Sequence, residues 1–84
     1  MAGEERKKLK EMLEIIQENP ERFLTNQYLS NNQWIQYNQT KKRFEYEDGA
    51  WLGDTPDEVI MFFYEDLAMT KFGKWVKSAV WSFK

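Results

Sequence analysis

The chain has 84 residues, no histidine and no cysteine, and fourteen aromatic side chains: four Trp, four Tyr and six Phe. Its length suits one small domain, and its formal net charge of −2 recommends neither nucleic acid nor an acidic surface as a partner. Without His or Cys, common catalytic triads, thiolate chemistry and the usual transition-metal sites cannot be assembled, so no enzyme activity and no cofactor is expected.

The first element reads as a helix. Leu9, Met12, Leu13 and Ile16 recur at i, i+3, i+4 and i+7, Glu4 and Glu5 sit in the first turn, and Asn19-Pro20 stops the pattern. A short helical turn at residues 21–24 would return Phe23 and Leu24 to the core. Residues 26–33 are rich in amide and hydroxyl side chains and read as a loop; with Gln36, Asn38 and Gln39 they could form an amide-rich patch.

A hairpin is the clearest architectural signal. Ile35 and Tyr37 alternate with polar residues, and so do Phe44 and Tyr46. Pairing Ile35 with Tyr46 and Tyr37 with Phe44 places all four on one face and leaves Gln39, Thr40, Lys41 and Lys42 as the loop. Trp34, Gln36, Arg43, Glu45 and Glu47 then share the other face. Asp48-Gly49 marks a turn, and residues 50–52 can add a third strand.

Thr55-Pro56-Asp57-Glu58 combines a capping residue, a proline at the first helical position and a carboxylate at the capping-box position. The following helix carries Ile60, Phe63, Tyr64 and Leu67 as a stripe, widened by Val59, Met61 and Phe62, as for a helix sandwiched between two elements. Gly73 is expected to end or kink it. Phe72, Val76, Ala79, Val80 and Phe83 then suggest a second helix, with a strand over residues 78–83 as the alternative. The fold class is α+β: a small antiparallel hairpin or three-stranded sheet against an N-terminal helix and one or two C-terminal helices.

Charge is segregated along the chain. Residues 1–43 hold eight basic and six acidic groups, residues 44–66 eight acidic and no basic groups, and residues 67–84 four lysines and no acid. Exposed aromatics beside an acidic strip point to a protein-interaction module whose partner has a basic surface. The expected binding residues are Trp34, Trp51, Glu45, Glu47, Asp48, Asp54 and Trp81. Trp75 and Trp81 stand about 600° apart on a helix, so at least one should be exposed.

The alternative is a nucleic-acid-binding module using Lys41, Lys42 and Arg43 at the hairpin tip, opposed by the nearby carboxylates. A lysine- and Trp-bearing tail also admits membrane-surface binding, ranked lower because one short stretch binds weakly. Self-association is a further form of the interaction reading. Glu45, Glu47, Asp48, Asp54, Asp57 and Glu58 match no calcium-loop spacing, so no metal is expected. The charged first residues and the lack of a long apolar run lead to an expected cytoplasmic setting. In size and in amide and lysine usage the chain resembles small accessory proteins of phages and mobile elements; the resemblance rests on no motif and implies stoichiometric inhibition or modulation of a host protein.

Overall fold

A computed structural model describes residues 2–29 and 33–84. In chain order these form α1 (Ala2–Glu18), β1 (Leu24–Asn26), β2 (Ile35–Asn38), β3 (Arg43–Tyr46), β4 (Trp51–Gly53), α2 (Pro56–Met61), a π-helical segment (Phe62–Asp66), α3 (Lys71–Lys77) and β5 (Trp81–Phe83). The five strands make one antiparallel sheet in the order β4-β3-β2-β1-β5. The α+β class is as expected from the sequence, with two strands more than the hairpin and its neighbour.

The hairpin has the anticipated register, Ile35 opposite Tyr46 and Tyr37 opposite Phe44. Its loop closes with Lys42 in the left-handed region (φ 54°) and with the Lys41 amide donating to Asn38 Oδ1 at 3.0 Å. At the next turn Gly49 takes φ 90°, and the Ala50 amide donates to Asp48 Oδ1. Between β3 and β4 the register shifts by one: Phe44 faces Gly53 while Glu45 faces Trp51, and Leu52 is buried between them.

All of Leu9, Met12, Leu13 and Ile16 are buried, so the α1 stripe meets the core as its spacing requires. They join Leu24, Ile35, Phe44, Leu52, Val59, Phe63, Tyr64, Val76 and Trp81 in one cluster between the helices and one sheet face. An exposed ion pair at 3.0 Å, Lys10 to Asp57, links α1 to the start of α2.

Three local expectations need correction. The turn after Pro20 does not continue as helix: residues 24–26 enter the sheet as β1, because Leu24 can pair with Ile35 on one side and Phe83 on the other. Asn26 then turns the chain, its side-chain oxygen accepting from the Tyr28 and Leu29 amides. Ser30, Asn31 and Asn32 of the expected amide-rich loop lie outside the described residues.

The long second helix is not continuous. Thr55 caps α2 by accepting from the Glu58 amide at 3.2 Å, but the Glu58 carboxylate reaches back to the Asp54 amide at 3.0 Å, one residue earlier than a capping box would place it. After Met61 the winding loosens, and the Leu67 amide donates to the Phe62 carbonyl five residues back. Helix continuity breaks at residues 67–70, before Gly73. Thr70 caps α3 by accepting from the Gly73 amide at 2.8 Å, and Gly73 lies inside that helix.

The tail is both helix and strand. After Lys77 the chain leaves α3 and returns as β5, where Trp81, Ser82 and Phe83 pair with Asn26, Thr25 and Leu24. This changes the fate of Trp81, which is only 9% exposed and packs on Phe63 with ring centroids 5.5 Å apart. The expected exposed tryptophan of the tail is Trp75, at 44%. Trp81 Nε1 and Asn26 Nδ2, on paired residues, are buried without a hydrogen-bond partner among the described residues. No helix of the described residues is long and apolar enough to cross a membrane.

Candidate functional site

α1 and α2 pack on β1, β2 and β4, and among the described residues the other sheet face carries no helix. Alternation places Gln36, Asn38, Arg43, Glu45 and Trp51 on this open face, and Trp34 extends the same row. Four of the expected binding residues, Trp34, Glu45, Trp51 and Asp54, therefore gather on or beside the β2–β4 side of the molecule. Their environments divide them into a rigid floor and a projecting edge.

Glu45 is the centre of the floor. It is 4% exposed, and its Oε1 accepts from Gln36 Nε2 at 3.3 Å and Asn38 Nδ2 at 3.1 Å, while its Oε2 accepts from Arg43 Nε at 3.0 Å. Glu45 is thus buried where an accessible acidic strip was expected, with three neighbouring donors bound to its carboxylate. Burial pushes its carboxyl up, but the hydrogen bonds from Asn38, Arg43 and Gln36 and the Arg43 charge outweigh that and hold it below its ordinary value.

A carboxyl held low in the folded state adds stability that is present above its unfolded value, about 4.3, and is lost as pH falls through the lower folded value. Glu45→Gln is accordingly expected to destabilise the protein by about 1–3 kcal/mol at neutral pH, because three donors lose their ionised acceptor. The deficit should shrink at pH 3. Urea unfolding of both proteins at the two pH values checks this; a deficit unchanged by acid would mean that the charge of Glu45 contributes nothing.

Trp34 also belongs to the floor. Its ring stacks on Phe23 at 5.0 Å, its Nε1 donates to Gln36 Oε1 at 3.1 Å, and Lys84 Nζ lies 5.2 Å from its ring centroid. Half-buried and stacked on Phe23, Trp34 braces the sheet rather than projecting as an anchor. Arg43, expected at a basic tip, turns inward: beyond Glu45, its Nη2 donates to the Gly49 carbonyl at 3.2 Å. Lys41 and Lys42 remain exposed at the tip. Glu47 is half-buried, and Asp48 is exposed but engaged in its own turn.

Trp51 is the projecting edge. It lies on the outermost strand, is 55% exposed, and is oriented by a hydrogen bond from its Nε1 to Asp54 Oδ1 at 2.9 Å. Beside it opens a cleft of about 270 Å³ lined by Trp51, Leu52, Glu58, Met61, Phe62 and Asp66. Met61 is 48% exposed and Phe62 half-buried, so the floor of this cleft is apolar. The charged groups lining it, Glu58 and Asp66, are both carboxylates, with Asp54 behind Trp51. A larger recess of about 400 Å³ borders β1 and β5, where Thr25, Asn26, Gln27, Ser82 and Lys84 make most of its wall. It has no exposed aromatic among the described residues, which leaves the smaller cleft as the candidate site.

Met61, Phe62, Glu58 and Asp66 were not among the expected binding residues. Met61 and Phe62 read as extra breadth of a sandwiched helix. A helical signal nevertheless existed: with Val59 in the core, Met61 stands about 200° around the helix and points away from it. Comparison with known proteins finds no match: no family model matches the chain, and no curated protein or solved structure matches it.

Proposed function

We propose that this protein is a protein-interaction module whose binding surface is the cleft of Trp51, Met61 and Phe62, and whose partner presents an apolar side chain flanked by Lys or Arg. The observation that carries this reading is Trp51 itself: a large aromatic more than half exposed, yet held in one orientation by Asp54. An exposed but fixed tryptophan forfeits little side-chain freedom on binding, which favours its use as an anchor. Asp54, Glu58 and Asp66 surround it with one sign of charge, so they steer a basic surface towards the cleft and disfavour an acidic one. The floor centred on Glu45 keeps the sheet rigid behind the edge. Acting stoichiometrically, the module would cover a basic surface of its partner and so inhibit it.

Replacing Trp51 by alanine is expected to leave the fold intact and to weaken partner binding about 30-fold or more, the scale of a hot-spot tryptophan. Affinity capture of the tagged wild type and the Trp51→Ala variant from lysate, with and without nuclease, tests this. One protein recovered near equal stoichiometry, resistant to nuclease and lost with the variant, supports the reading. Equal recovery by the variant overturns it, and recovery that vanishes with nuclease transfers the function to Lys41 and Lys42.

A further inference from the structure

The acidic cleft has a counterpart of opposite charge on the same molecule. On α3, Lys71 and Lys74 are exposed, and Lys71 Nζ lies 5.0 Å from the centroid of the Trp75 ring. Trp75 in turn stacks on Tyr28, also exposed, with centroids 5.8 Å apart and planes inclined by 17°. Residues 67–84 contain no carboxylate side chain. The result is a flat aromatic pair with basic groups beside it, against a cleft that is aromatic with acidic groups beside it.

Both surfaces adjoin the π-helical segment. Phe62 and Asp66 of that segment line the cleft, and α3 packs against the same segment. We propose that a second copy of this chain occupies the cleft, with Tyr28 and Trp75 of one copy set against Trp51 and Met61 of the other and Lys71 and Lys74 facing Asp54 and Asp66. The inference rests on the reading of the cleft as a binding surface and names its partner.

Charge complementarity selects a second copy. The chain separates eight acidic groups in residues 44–66 from four lysines in residues 67–84, yet its net charge is only −2, so two copies attract locally with little overall repulsion. Symmetry supplies the closure. With β4 at one edge of the sheet and β1 and β5 at the other, two copies set antiparallel about a two-fold axis would make the same contact twice and close as a dimer.

Sedimentation velocity of the full chain across a concentration series, at low and high salt, reads the association directly. The wild type is expected to dimerise, more weakly at high salt, and Trp51→Ala to weaken dimerisation about 30-fold or more. The decisive pair reverses charge without touching the Asp54 bond to Trp51: Asp66→Lys in one variant, and Lys71→Glu in another. Each should be monomeric alone, since like charges then meet at both contacts, while an equimolar mixture should dimerise because both contacts become complementary again. That rescue also shows both variants to be folded. A monomeric wild type, a dimer insensitive to either reversal, or a mixture that stays monomeric overturns the proposal. If a monomeric wild type still captures a foreign protein through Trp51, only the dimer fails; if capture is also indifferent to Trp51, both readings fail.

Discussion

Phe63→Ala is expected to cost about 3–5 kcal/mol, the range for emptying a buried phenylalanine site. Phe63 is fully buried in the π-helical segment, with ring centroids 5.5 Å from both Phe62 and Trp81. It therefore joins the helical layer to β5, and its removal leaves Trp81 without that packing surface. Since a small domain is held by about 5–15 kcal/mol in total, the variant should lose about a fifth or more of its stability. Its thermal midpoint should fall by at least about 12 °C, given a shift of about 4–8 °C per kcal/mol at this chain length. Circular dichroism melts of the two proteins measure it, and a drop of only a few degrees would mean that the aromatic cluster is not the tie between the layers.

Gly73→Ala tests a different source of order, and the two physical effects involved have opposite signs. On helix propensity alone, alanine inside α3 would stabilise by about 1 kcal/mol. The structure predicts the reverse, because a β-carbon at residue 73 would overlap the Leu67 carbonyl oxygen, and its next neighbours are the Leu67 carbonyl carbon and β-carbon. Backbone atoms cannot rotate aside as a side-chain end can. The turn at residues 67–70 would have to open, and we expect a loss of about 3 kcal/mol or more, at the upper end of overpacking costs. A variant as stable as the wild type in urea unfolding would disprove this close approach.

The parts of the fold visible in the sequence were those with a local cause. Ile35, Tyr37, Phe44 and Tyr46 alternate over strands joined by a four-residue loop, and that spacing admits the observed register. Thr55 and Pro56 mark the start of α2 by their own chemistry. By contrast, β1 and β5 are three residues each and too short for a periodic pattern; they form because Leu24 and Asn26 meet Phe83 and Trp81 from the far end of the sequence. The same pairing buries Trp81, which a helical reading of residues 74–84 had left free to project.

The candidate site divides in the same way. Trp51 and Asp54 are three residues apart, and their hydrogen bond is a local event. Glu45 has the composition of a solvated strand residue and is instead enclosed by Gln36 and Asn38 from the paired strand, an arrangement that depends on register. The cleft depended on two things no periodicity reports: the register shift at Leu52 and the change of helical winding after Met61.

Pairing residue 24 with residue 83 has a consequence for how the molecule is made. The β2–β3 ladder closes a short loop, whereas β1 receives its second neighbour from residues 81–83, more than half the chain away, and loop-closure entropy and low folding speed attach to that step. The hairpin can form before residues 81–83 dock, but until they do one side of β1 stays unpaired and Phe63 lacks Trp81. A chain whose β5 has not yet docked therefore has an open strand edge and uncovered aromatic surface, the condition under which chains recruit chaperones or aggregate.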